Sequence, residues 1–193
     1  SLEHTTGMRL FGGDYRYNLT EIGIYKRFWM NSWGKIDARL KTGAQWDKVP
    51  YPLLIMPAAN LSYIVQKETF NMINNMEFLN DRYASLDMNG KIFNRIPLLK
   101  KLKWREYIGV KTLWGKLTDK NNPMLPVNAG DTQLWAFPEG SYVMDPKRPY
   151  VEWVAGIHNI FKIVHVEFVH RCNYTSLPTA KKNGIRFMLR MTF

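Results

Sequence analysis

The sequence predicts an all-β protein: a transmembrane antiparallel up-and-down β-barrel, with about eight strands in this chain as part of a larger barrel. Three observations carry that expectation. Apolar and polar residues alternate with a period of two, the alternating runs are long, and the joins between them are short at one end and long at the other. Successive side chains of a strand point to opposite sides, so such a run has one apolar face and one charged face. A soluble β-sandwich would line its inner face with apolar groups rather than charge it.

Strands are expected near 2–11, 16–30, 33–46, 74–90, 103–117, 149–158, 161–174 and 184–193. In the third, Ile36, Ala38, Leu40, Ala44 and Trp46 share a face opposite Lys35, Asp37, Arg39 and Lys41. In the fifth, Ile108, Val110, Thr112 and Trp114 alternate with Tyr107, Gly109 and Lys111. In the seventh, Val166, Phe168, Cys172 and Tyr174 face away from His165, Glu167, Arg171 and Asn173. The last sets Ile185, Phe187, Leu189, Met191 and Phe193 against Arg186 and Arg190. Strands in soluble sheets run to about five or six residues. Tilted membrane-crossing strands need about 9–11, and the longest runs here exceed that.

Asn31-Ser32 and Asn159-Ile160 read as tight turns, whereas 47–73 and 118–148 are long loops rich in Pro, Asn, Gly and Asp. In outer-membrane barrels the short turns face the periplasm. That orientation places the 96–102 connection and Phe193 on the periplasmic rim, and loops 12–15, 47–73, 118–148 and 175–183 outside. Trp29, Trp33, Trp46, Trp104, Trp114, Trp153, Tyr174 and Phe193 fall near strand ends, where interface girdles lie. No linker composition divides the chain, so residues 1–193 read as the C-terminal portion of a single barrel domain.

Composition bounds the function. The chain has 193 residues and a formal charge of +11. The excess sits in 91–120, with nine basic residues against two acidic, and in 179–193, with four basic residues and no acid. Such patches suit phosphate-rich partners, nucleic acid or anionic lipid, or are simply a solvated surface. A single cysteine excludes an internal disulfide and any Cys-based zinc site. No run approaches the ~18 apolar residues of a spanning helix. The first residues lack the pattern of a signal peptide, so the chain is expected to be cytosolic or already processed.

Several runs together resemble a family. Trp46-Asp47-Lys48-Val49-Pro50-Tyr51-Pro52-Leu53-Leu54 is followed by Asn75-Met76-Glu77-Phe78, by Asn94-Arg95-Ile96-Pro97-Leu98-Leu99-Lys100-Lys101-Leu102-Lys103-Trp104-Arg105-Glu106 and by Asp119-Lys120-Asn121-Asn122-Pro123. Gly156-Ile157-His158-Asn159-Ile160-Phe161-Lys162 and a terminal Phe complete the set. In this order they resemble the C-terminal barrel of outer membrane proteins that carry a carboxypeptidase-regulatory-like domain, distantly similar to the bacterial surface antigen barrels. The resemblance implies residence in the outer membrane of a Gram-negative bacterium, more strands than this chain holds, and no enzymatic activity or cofactor. The Asp87-Met88-Asn89-Gly90-Lys91 stretch is shorter than the family pattern implies before the Ile-Pro-Leu-Leu run.

The candidate functional residues fall into three groups. Lys35, Asp37, Arg39, Lys41, His165, Glu167, Arg171, Arg186 and Arg190 should line the lumen. In a wide barrel they would border a polar channel or seat a plug; in a narrow one they would fill the inside as an ion-pair network, the arrangement their mixed signs favour. Phe187, Leu189, Met191 and Phe193 resemble the terminal signal read by the barrel assembly machinery. Lys100, Lys101, Lys103 and Arg105 form a basic rim patch.

The expected partners are outer-membrane lipid, the assembly machinery and other outer-membrane or periplasmic proteins, without nucleic acid. The alternative is a soluble basic β protein that binds nucleic acid through 91–105, with Trp104 as stacking platform. No catalytic set emerges. His158, His165 and His170 are expected on a turn and on opposite faces, and Cys172 reads as a small hydrophobe.

Overall fold

A computed structural model describes residues 1–9, 13–92 and 96–190. The alternating runs form β1 (Leu2–Gly7), β2 (Tyr17–Trp29), β3 (Gly34–Gln45), β4 (Arg82–Ile92), β5 (Arg105–Lys116), β6 (Tyr150–Ile160), β7 (Val164–Arg171) and β8 (Asn183–Leu189). They make one antiparallel sheet in which each strand pairs with its sequence neighbours, in the order β1 to β8. The up-and-down topology is the one the alternation predicts. Closure is not seen: β1 and β8 are the edges of an open sheet among the described residues.

Register keeps the two kinds of side chain apart. Opposed residues of an antiparallel pair share a face. Lys35 opposes Lys91, Arg39 opposes Asp87, and Lys41 opposes Ser85. Asp87 in turn opposes Lys111, Lys111 opposes Glu152, Glu152 opposes Arg171, and Glu167 opposes Arg186. One charged face thus runs from β3 to β8. Its reverse presents exposed Ile24, Leu40, Met88, Ile108, Val110, Trp153, Phe168, Ile185 and Leu189.

The core lies between the charged face and the long loops. Segment 46–81 folds across this face and contributes Ala59, Phe70, Met72 and Phe78 to a cluster with Leu113 of β5 and Tyr150 of β6. A second cluster joins Val49, Leu54 and Leu79 to Leu117, with Phe137 and Val143 packed against it. Fully burying such a side chain stabilises by roughly 1.5–3 kcal/mol, which anchors the loop to the sheet.

Three expectations are corrected. The fourth strand starts at Arg82, not at residue 74. Glu77, Phe78, Leu79, Asn80 and Asp81 are all buried in succession, and burial on both sides is incompatible with a two-faced strand. Their backbone bonds run to other loops: Leu79 N–H donates to Tyr142 O at 3.1 Å, and Tyr142 N–H to Glu77 O at 2.9 Å.

The tight turn is not at Asn159-Ile160. Asn159 does adopt positive φ (64°), but within an irregularity of register that carries β6 on to Ile160. The reversal uses Phe161 and Lys162, at φ 48° and 69°. An Asn that tolerates this backbone serves a bulge as well as a turn, and so misplaced the reversal. The 96–102 connection contains a short helix, α1 (Pro97–Lys101), with Pro at its first position, where the missing N–H costs nothing. The final strand is described to Leu189; Met191 and Phe193 lie outside the described residues.

Candidate functional site

The charged face and the segment over it form the part of the molecule with the densest chemistry. Arg171 is the largest fully buried side chain. Its Nη1 donates to Glu77 Oε1 at 2.5 Å, and its Nε to Asn173 O at 3.0 Å. The guanidinium lies 5.0 Å from the ring centre of Tyr150 and 5.7 Å from that of Phe78. Such packing suits the planar, weakly hydrated guanidinium better than an ammonium.

Glu152, on β6, accepts from Asn71 N–H and Tyr150 O–H, each at 2.7 Å. Lys111 donates to Thr69 O at 2.6 Å, with Glu152 Oε1 at 3.8 Å. Sheet charges are therefore satisfied largely by the backbone and side chains of segment 46–81. Glu68 extends this pattern, pairing with Lys41 and with Arg39 Nε at 3.7 Å. The hydrogen bond from Lys41 holds the Glu68 carboxyl below its ordinary range, against partial burial. Backbone pairing adds to the side chains. Phe187 N–H donates to Tyr63 O at 2.6 Å and Val65 N–H to Phe187 O at 2.8 Å, so 63–65 borders the β8 edge.

Pairs within the sheet are fewer. Asp37 accepts from Arg27 Nε at 2.5 Å and from Tyr25 O–H at 2.8 Å. His158 Nε2 meets Glu167 Oε1 at 3.0 Å, beneath a stacked Tyr107 ring at 4.3 Å.

All nine residues of the inward set lie on this one face. Asp37, His165, Glu167, Arg171 and Arg186 are buried, Lys35 and Arg39 are half-buried, and Lys41 and Arg190 are exposed. An ion-pair network confined to the strands accounts for only part of the face. Segment 46–81, expected as part of an outside loop, supplies partners to Arg39, Lys41 and Arg171 of the set and to Lys111 and Glu152 beside them. A signal was present in the run of consecutive apolar and polar residues at 77–81, which no strand alternation explains.

The structure also brings His158 and His165 together, with ring centroids 4.6 Å apart, contrary to the expectation that they diverge. His158 sits on β6 rather than in a turn because the reversal falls three residues later. No group of three metal-ligating side chains converges among the described residues.

The rim patch divides. Lys100 and Lys101 are exposed in the last turn of α1, where they face the negative end of its dipole. Lys103, at φ 59°, accepts Asn159 Nδ2–H through its carbonyl at 2.8 Å. Arg105 opens β5 on the charged face, opposite His158. Trp104 packs edge-on to Phe161 at 6.2 Å rather than presenting a clear platform. Among the aromatics expected at the rims, Tyr174 instead turns inward onto Phe78 at 5.1 Å, and its O–H donates to Arg148 O.

Fold and face together define a class: an open, eight-stranded up-and-down sheet with a charged, loop-covered side and an apolar, exposed side. The model for the C-terminal domain of a family of unknown function, DUF5686, matches residues 1–123, and the chain belongs to that family. Neither a curated protein nor a solved structure matches the chain.

Proposed function

We propose that this chain is part of an integral outer-membrane β-barrel that acts as a scaffold with a filled interior, without enzymatic activity. The observation that carries the reading is the inversion of the usual pattern. Apolar side chains cover the middle of the exposed face of β2 to β8, with Lys26 within it and Arg82, Glu106 and Lys116 at strand ends, while charged groups occupy the covered face. An apolar surface of that extent on a water-soluble monomer would be an aggregation hazard; against lipid it is the stable arrangement.

Length supports the same reading. β2 to β6 have 11–13 residues. At ~3.3 Å per residue and a tilt near 45°, they rise through roughly 25–30 Å, about the height of the hydrocarbon band. Trp33 and Trp46 are exposed near strand ends, as interfacial anchors are, whereas Trp29 lies beside Lys35 on the charged face. No helix of the described residues is long and apolar enough to cross a membrane.

In this reading the nine charged residues border the lumen, and segment 46–81 is the plug that fills it. The edge of β1, and the part of β8 that 63–65 leaves unpaired, join further strands, as the resemblance to carboxypeptidase-regulatory-like outer membrane proteins implies. Phe187 and Leu189, on the lipid side of β8, belong with Met191 and Phe193 to the signal read by the barrel assembly machinery. A filled lumen favours a scaffold over an open pore.

Detergent dependence tests the proposal. The purified chain should remain monodisperse only in detergent. A monodisperse, detergent-free monomer would overturn it, and salt-sensitive RNA binding lost on neutralising Lys100, Lys101 and Lys103 would favour the nucleic-acid alternative.

A further inference from the structure

At the turn end of the charged face, next to residues 65–67 of segment 46–81, the balance of charge changes. A cavity of about 300 Å³ is lined by Lys35, Lys91, Arg105, Arg190, His158 and His165, with no carboxylate among its lining residues. Five elements contribute: β3, β4, β5, β6 and β7, with Arg190 following β8. Three acids line the adjoining cavity: Asp37, engaged by Arg27, Glu167, engaged by His158, and Asp87, which accepts from Asn89 and stands opposite Arg39 and Lys111. None of the four cations has an ion-pair partner among the described residues.

Lys35 and Lys91 stand directly opposite each other on adjacent strands. Like charges so placed are destabilising, and nothing in the sheet requires them there. Lys35 also lies 5.5 Å from the ring centre of Trp29, which fixes one wall. His165 is buried, and neither of its ring nitrogens has a side-chain hydrogen-bond partner among the described residues.

We propose that this cavity is a binding site for a phosphate group. Two ammonium groups supply mobile point charges and two guanidiniums supply planar donor forks, the combination that holds a phosphate dianion. The imidazole of His165 adds a further donor, and a bound dianion attracts both Lys35 and Lys91 and so outweighs their mutual repulsion. The volume is at the small end of ligand sites, which span roughly 300–1,000 Å³, and suits a phosphate or phosphate monoester. The phosphate could be free or could belong to a lipid headgroup. The site rests on the charged face alone and is independent of whether the opposite face meets lipid.

The test is calorimetric titration of the full chain in neutral detergent, at constant ionic strength set with chloride. One arm uses inorganic phosphate; the other uses dihexanoyl phosphatidic acid below its micelle concentration. Saturable one-to-one binding is expected in at least one arm, and the responding arm identifies the source. The double variant Lys35→Gln/Lys91→Gln should bind at least about tenfold more weakly, as loss of two charge-assisted contacts requires. Lys35→Arg should stay within about threefold of the parent, because charge and donors are kept. Lys100→Gln/Lys101→Gln should bind as the parent does.

Thermal unfolding keeps the result interpretable. Without phosphate, Lys35→Gln should unfold at a higher temperature than the parent, since it removes the opposed charges. Phosphate should raise the parent's midpoint but not that of the double variant. No saturable binding in either arm, or equal affinity of the parent and a folded double variant, would overturn the proposal.

Discussion

Arg171 and Glu77 lie 94 residues apart in sequence, and both side chains are fully excluded from solvent. Removing one partner of such a pair strands the other charge, at a cost of about 3–5 kcal/mol. Arg171→Met should therefore lower the free energy of unfolding in urea by that amount. Arg171→Met combined with Glu77→Gln should recover part of the loss, and strict additivity of the two changes would show that the contact contributes nothing.

Glu68 gives a pH-dependent counterpart. Its folded-state pKa is held below the ordinary 4.5 by Lys41, so the stabilisation is full above that value and is lost as pH falls through the lower, folded value. A nitroxide at Leu61, on a Cys172→Ser background, should become more mobile across that acid range. It should stay flat there in Glu68→Gln, and equal pH responses in the two proteins would contradict the role of Glu68. Residue identity made the charged face legible. It did not make the partners legible, because Arg171 carries no local mark of an acid so distant in sequence.

Strands and loops differed in how far their sequences betray them. β3 alternates throughout and β2 and β5 over most of their length, and their observed limits fall within a few residues of those expected. Alternation is a local property imposed by two unlike solvents, and so it survives in the sequence. Segment 46–81 is held by contacts to β3, β5, β6, β7 and β8, none of which imposes a period on it. Its Pro and Asn residues therefore read as an ordinary outside loop. Residues 77–81 are buried in succession and carry the apolar content of a strand without its two faces, so they read as the start of β4.

The proposed lipid contact makes its own demand on these elements. Leu40→Lys and Leu189→Lys, both on the apolar face, should each destabilise the inserted protein by ~2–4 kcal/mol if placed near the bilayer centre. Arg39→Ser and Met188→Ser, on the charged face, should change the insertion free energy far less. Indifference to both lysines in vesicle-based urea titrations would speak for a water-facing sheet.

For the whole molecule, the formal charge of +11 is no guide to function until it is placed. Part lies on α1, part is matched by segment 46–81, and part gathers without acid around Lys35 and Lys91. What organises the molecule is the separation of its two faces, and the membrane assignment depends on what the apolar face meets. The most direct measurement is a nitroxide scan of residues 35–42 on β3, in the full chain reconstituted into liposomes on the Cys172→Ser background. Collision rates with oxygen and with a water-soluble nickel chelate report the environment of each site. The account predicts high oxygen and low nickel accessibility at Ile36, Ala38, Leu40 and Thr42, alternating with low accessibility to both at Asp37 and Arg39. High nickel accessibility at Ile36, Ala38 and Leu40 would contradict it.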